Sequence, residues 1–168
     1  MKALAALAVL LAAPAVASDN SASERNAVVL SPAQTRFILR CGGCHGTLGA
    51  SPPLSVPQLR GLAGWFLCTP EAREYVIRLP NVSRAQLSDA DLAEVMNFVT
   101  FELGGASTPA AAVRFTAAEV AAIRTRPLNV LPLNAYRRQI VAGVIRRCGA
   151  PASLRDYGKA NALSIAAR

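Results

Sequence analysis

The feature that most constrains this chain is RCGGCHGTLG at residues 40–49, which brings Cys41, Cys44 and His45 together. His45 is the only histidine of the 168 residues, and no second cluster of this kind occurs in the sequence. Two thiols and an imidazole in one pentapeptide suit a dithiol redox centre, part of a zinc site or a covalent haem attachment. The rest of the sequence has to distinguish among these three chemistries.

The first residues, MKALAALAVLLAAPAVASDN, have the pattern of a secretory signal peptide. Lys2 precedes an apolar run, and the segment ends in an A-x-A cleavage site at 15–17. We therefore predict that residues 1–17 are removed and that residues 18–30 form a flexible leader. Because no later segment has about 18 consecutive apolar residues, no transmembrane segment is expected. The predicted location is an oxidising compartment, the bacterial periplasm, where nucleic acid is not an expected partner.

Helix caps and apolar spacing predict an all-α protein. Ser31, Pro32 and Gln34 have the spacing of a capped helix start, and this helix leads directly into Cys41. The clearest helix begins after Ser88 and carries one apolar stripe at three- and four-residue spacing, made of Leu92, Val95, Met96, Val99 and Leu103. Further helices are expected at 70–79, after Thr116 and across NAYRRQIVAGVIRRC. We divide the chain into a helical domain at 31–104 and a basic helical C-terminal extension at 105–168.

The haem interpretation accounts for the whole pentapeptide, whereas the other two do not. A dithiol oxidoreductase carries its C-x-x-C in a βαβ context, and no strands are predicted here. A structural zinc site needs four ligands, and Cys68 and Cys148 each stand alone. In C-x-x-C-H, by contrast, Cys41 and Cys44 can form thioethers with the two haem vinyl groups, and His45 can coordinate the iron.

Residues 31–103 resemble a class I c-type cytochrome, and more narrowly the small exported monohaem members. The resemblance rests on the leading helix with Phe37, CGGCH at 41–45, VPQLRGLAG at 56–64, LP at 79–80 and the last helix with Phe98. It implies a cytochrome c-like helical domain around one covalently bound haem c. It also implies that the Pro57 carbonyl accepts a hydrogen bond from the His45 ring, and that the helices bearing Phe37 and Phe98 cross.

Trp65 directly follows the post-haem loop that carries this resemblance. Its indole N–H could donate to a haem propionate, and the alternative is that the ring simply packs in the core. We include Trp65 among the candidate haem-binding residues with Cys41, Cys44, His45 and Pro57.

The sequence departs from this family at the sixth iron ligand. The resemblance places a methionine just before a proline ahead of the last helix, but Leu79 occupies that position and cannot ligate. Met96 is the only methionine after the signal peptide, so it is the candidate sixth ligand. It lies on an apolar stripe, where methionine also serves as a core residue. An open or water-bound iron, Lys159, a cysteine or another group remain the alternatives.

Cys68 and Cys148 form an even pair once haem uses the other two cysteines. In an oxidising compartment we predict a disulfide between them, with two separate buried thiols as the alternative. The charge is also unevenly distributed: residues 18–110 carry a net charge of −1 and residues 111–168 a net charge of +8. The basic extension could dock an acidic partner or simply form a solvated surface.

These features favour a periplasmic monohaem cytochrome that transfers single electrons, or the cytochrome subunit of a periplasmic dehydrogenase, and not an enzyme in its own right. The expected partner is an acidic redox protein, such as a dehydrogenase or a terminal reductase or oxidase. The main alternative is a five-coordinate haem sensor or small-ligand-binding protein. A third hypothesis is a small assembly subunit in which the haem relays electrons internally.

Overall fold

The structure is a computed structural model, and it describes residues 29–51 and 56–155. Helices and loops make up these two stretches, with no strand in them, which confirms the predicted all-α class. The α-helices are α1 (Pro32–Arg40), α2 (Gly42–His45), α3 (Pro70–Arg78), α4 (Pro80–Ser83), α5 (Asp89–Asn97), α6 (Ala117–Arg124) and α7 (Leu133–Cys148). A π-helical segment (Phe98–Leu103) continues α5, and short 3₁₀ helices occur at Ala63–Leu67, Gly105–Ser107 and Ala152–Arg155. The predicted signal peptide, most of the leader and Lys159 lie outside the described residues.

Three helices begin at the caps that the sequence predicts. Ser31, Ser88 and Thr116 each precede a helix, and each side-chain oxygen accepts a hydrogen bond of 3.1 Å from the backbone N–H three residues later. Such a bond satisfies one of the otherwise unpaired N–H groups of the first helical turn. The helix boundaries therefore follow from local chemistry.

The helix α1 crosses and packs against the helix at 89–103. Phe37 is fully buried, and its ring centroid lies 5.5 Å from that of Phe98. The α1 cluster around this contact comprises Phe37, Ala63, Val95, Phe98, Val99 and Leu103. The predicted crossing of the two aromatic-bearing helices is confirmed. Cys41 packs against this cluster, so the crossing fixes the start of the C-x-x-C-H segment.

The C-terminal extension, as far as the structure describes it, covers the first part of the chain. The α6 cluster joins both parts and comprises Leu67, Ile77, Leu92, Ala93, Met96, Phe115, Val120 and Ile123. The α7 cluster does the same and comprises Phe66, Ala72, Tyr75, Leu128, Val141, Val144, Ala150 and Leu154. Residues 105–155 therefore share their core with residues 31–104.

Arginines reinforce this contact between the extension and the first part. The guanidinium of Arg124 donates to the backbone carbonyls of Ser83, Ala85 and Leu87 and also to the Asp89 carboxylate. Three other ion pairs cross the same boundary: Arg73 with Glu119, Arg126 with Glu74, and Arg147 with Glu71. Part of the basic charge of the extension therefore has partners within the molecule. Across the two described stretches, no helix is long and apolar enough to cross a membrane.

Candidate functional site

The C-x-x-C-H segment forms a short helix that follows α1 with one residue between them. Cys41 caps the end of α1, and its carbonyl accepts from the backbone N–H groups of Cys44 and His45. This turn brings both thiols and the imidazole to one end of α1. Cys41 is half-buried, Cys44 is exposed, and neither takes part in a disulfide. The structure therefore brings these three predicted residues together with both sulfurs free to react.

The His45 ring is oriented by a backbone carbonyl twelve residues further along the chain. Nδ1 lies 3.1 Å from the Pro57 carbonyl oxygen. Because a carbonyl oxygen only accepts, Nδ1 carries the proton, and the lone pair of the neutral ring is on Nε2. This geometry matches the contact that the resemblance implied. An imidazole held in this way presents one defined nitrogen to a metal.

The surroundings of the site shift the pKa values of His45 and Cys41. Burial lowers the pKa of His45 below its ordinary value, and the hydrogen bond to the Pro57 carbonyl opposes this shift. Burial raises the pKa of the Cys41 thiol, and the nearby Cys44 adds to that shift. The lowered pKa favours the neutral imidazole, which is the form that binds metals. Two free thiols and one oriented neutral imidazole are the donor set that covalent haem attachment needs.

A closed loop carries Pro57 back to His45. Gly46 and Gly49 have φ angles of 70° and 72°, a region that disfavours other residues. A Cβ on Gly46 would lie 2.6 Å from the Ala50 carbonyl oxygen. The Gly49 carbonyl accepts from the backbone N–H groups of Leu59 and Arg60 at 3.0 Å each, which closes the loop.

Ser51 is a site residue that sequence reasoning did not identify. Its side chain is 6% exposed, and its hydroxyl donates to the Pro57 carbonyl oxygen at 2.8 Å. The same hydroxyl oxygen lies 3.4 Å from His45 Nδ1. A single serine in a loop rich in Gly, Ser and Pro gives no periodic signal, so only the folded loop reveals its position.

Met96 lies on a different face of its helix from the residues nearest the attachment site. Its side chain is 6% exposed and belongs to the α6 cluster. Val95 and Val99 belong instead to the α1 cluster, against which Cys41 packs. Leu79, at the position of the expected ligand, packs against the α7 cluster. The structure therefore brings the candidate sixth ligand together with the C-terminal extension.

Trp65 and Cys68 lie against the extension, which supplies the second cysteine of the pair, Cys148. Trp65 is half-buried and packs against the α7 cluster. Its role toward a propionate stays a prediction. The structure joins Cys68 to Cys148 by a disulfide with a Cα–Cα distance of 6.4 Å, and this pairing also stays a prediction for the purified protein. Within the described stretches, no three His, Cys, Asp or Glu side chains form a group able to hold a metal ion, so the zinc interpretation gains no support.

Comparison with known proteins points to the same chemistry. The chain is 28% identical over 123 residues to a cytochrome c-552 of Thermus thermophilus, an alignment that covers 62% of this chain and 94% of the relative. A second cytochrome c-552 from the same species is also 28% identical over 123 residues and is covered to 83%. No family model and no solved structure matches. The similarity supports a c-type cytochrome.

Proposed function

We propose that this chain is a periplasmic monohaem c-type cytochrome that carries one covalently attached haem c and transfers single electrons. The observation that carries the proposal is the pair of free thiols, Cys41 and Cys44, beside an imidazole whose Nδ1 is 3.1 Å from the Pro57 carbonyl. Haem bound there would supply an iron that accepts and donates one electron. The chain holds the two sulfurs on one helical turn and fixes the tautomer and orientation of the His45 ring.

The direct test is to express the exported protein in a host with cytochrome c maturation machinery. We expect an intact mass equal to the polypeptide plus one haem, and a Soret absorption that stays with the protein after denaturation. Changing both Cys41 and Cys44 to Ser should abolish covalent attachment. The matched control changes Cys68 and Cys148 to Ser and should keep it. A wild-type protein with the bare polypeptide mass would overturn the proposal.

Export and the partner are part of the same proposal. The signal-peptide pattern at 1–17 supports a periplasmic location, which N-terminal sequencing of the exported protein tests. The partner we propose is an acidic redox protein, such as a periplasmic dehydrogenase or a terminal reductase or oxidase. Because several arginines of the extension pair within the molecule, the exposed Arg138, Arg146 and Arg155 are among the described residues available to it. Raising the ionic strength should then slow electron exchange with the partner. A rate of electron exchange that is independent of ionic strength would contradict this docking.

A second candidate function is supported by the packing of Met96. Its side chain lies in the α6 cluster, with residues of the extension, and not beside Cys41. Leu79 cannot ligate iron either. A c-type haem with an open or water-bound axial position would bind a small ligand, as a sensor or a ligand-binding protein does. Carbon monoxide added to the reduced protein decides between the two: rapid binding favours the ligand-binding protein, and refusal favours the electron carrier.

A further inference from the structure

The Pro57 carbonyl oxygen receives two donors, and only one of them is the His45 ring. The Ser51 hydroxyl donates to it at 2.8 Å, which is shorter than the 3.1 Å between His45 Nδ1 and the same oxygen. Ser51 Oγ is also 3.4 Å from Nδ1. The three polar atoms thus form a closed triangle in which Nδ1 is closer to the Pro57 carbonyl oxygen than to Ser51 Oγ. Ser51 is 6% exposed, so bulk water has little access to its side of the triangle.

Backbone hydrogen bonds hold the chain before Ser51 and after Pro57. The turn at 46–49 reverses the chain, and the Gly49 carbonyl ties residues 59 and 60 back to it. Ser51 and Pro57 therefore face each other across the closed loop. Replacement of the hydroxyl should leave these backbone hydrogen bonds in place, so the contribution of the side chain can be measured separately.

A carbonyl oxygen has two lone pairs and can accept both bonds, but each donor withdraws electron density from it. The second bond from Ser51 therefore makes the Pro57 carbonyl a weaker acceptor for Nδ1–H. An imidazole with a weaker acceptor at Nδ1 is a less electron-rich ligand through Nε2. Such a ligand stabilises ferric iron less, relative to ferrous iron, and raises the reduction potential.

We propose that Ser51 is a positioning residue that fixes the Pro57 carbonyl and limits the strength of its hydrogen bond to His45, thereby raising the reduction potential of a haem bound at His45. The inference rests on the proposed haem attachment. It goes beyond that attachment because it assigns an influence on the reduction potential to a side chain whose hydroxyl binds the Pro57 carbonyl and not the haem.

The test compares haem-loaded wild type with Ser51→Ala, Ser51→Val and Ser51→Thr. We expect the Ser51→Ala and Ser51→Val variants to have a lower midpoint potential than the wild type. At the wild-type midpoint, their ratio of ferric to ferrous protein should therefore exceed one. The Ser51→Thr variant should have the wild-type potential. Threonine and valine have nearly the same shape, so this pair isolates the hydroxyl even if the alanine variant folds poorly. Proton NMR of the oxidised protein should show a displaced His45 Nδ1–H resonance in the Ala and Val variants alone.

Ser83→Ala is the matched control, because Ser83 is also a buried serine whose hydroxyl faces a proline carbonyl, that of Pro80, at 3.4 Å. It should leave both the potential and the Nδ1–H resonance unchanged. A wild-type potential in Ser51→Val, or an equal shift in Ser83→Ala, would overturn the role of Ser51. Absence of covalent haem from the wild type itself would refute the proposed function instead, and intact mass separates these two failures.

Discussion

Replacement of Met96 by leucine should leave the iron centre of the loaded protein unchanged. Met96 is 6% exposed and shares the α6 cluster with Phe115, Val120 and Ile123 of the extension. Leucine conserves the volume and the apolar character of this side chain, and such a substitution typically costs less than about 1.5 kcal/mol. Truncation to alanine would leave a cavity and cost about 2–5 kcal/mol. The leucine variant therefore removes the sulfur while it keeps the packing.

The measurement is the far-red absorption of the oxidised protein, where methionine sulfur bound to ferric iron gives a charge-transfer band. We expect the wild type to lack this band and the Met96→Leu variant to have the same spectrum, midpoint potential and carbon monoxide reactivity. Urea unfolding of both proteins, with the iron oxidised, checks that the free energy of unfolding differs only by the small packing term. A band that is present in the wild type and absent from the variant, with a lower potential, would refute this reasoning and identify Met96 as the ligand.

Three further predictions concern stability. Changing both Cys68 and Cys148 to Ser opens a loop with a sequence separation of 80 and should lower the free energy of unfolding by about 4 kcal/mol. Urea unfolding of the variant and of the oxidised wild type measures this difference. Alkylation of these two thiols in the wild type without prior reduction would contradict the disulfide. Hydrogen bonds from Arg73 lower the pKa of Glu119 below its ordinary 4.5, so the stability from this pair exists above that pH and disappears as the pH falls through the lowered value. Glu119→Gln should therefore lose less stability on acidification, by under about 1 kcal/mol, and identical pH profiles would argue against it. Removing residues 105–168 uncovers two of the three clusters and should lower the melting temperature seen by circular dichroism, whereas an unchanged melt would show that residues 31–104 are independently stable.

The sequence predicts the local parts of this fold well, because their causes are local. Ser31, Ser88 and Thr116 each cap the helix that they were expected to cap. The cysteine and histidine spacing places three site residues on one turn, since a helix brings positions three and four apart to the same side. The contact between His45 and Pro57 was available from the resemblance alone, because their separation of twelve residues has no periodic meaning.

The contacts between distant segments could not be predicted in the same way. Arg124 ends the helix that the sequence predicts after Thr116, yet no pattern indicates that it binds three backbone carbonyls at 83–87. Backbone carbonyls occur at every residue, so no residue pattern marks them as partners. The role of Ser51 could not be predicted for the same reason, because its partner is the Pro57 backbone carbonyl. Interactions with main-chain atoms become visible only when the loop path is known.

The packing of the helix at 89–103 explains why its apolar stripe alone did not show whether Met96 ligates the iron. An apolar stripe at three- and four-residue spacing is wide enough to meet two different neighbours. Here Leu92 and Met96 face the extension, whereas Val95 and Val99 face α1 and the attachment site. Because Leu79 replaces the expected loop ligand and Met96 shares a cluster with the extension, we expect that no methionine sulfur reaches a haem iron bound at His45. A six-coordinate carrier would then need a ligand such as Lys159 from outside the described residues, whereas a ligand-binding protein needs nothing more.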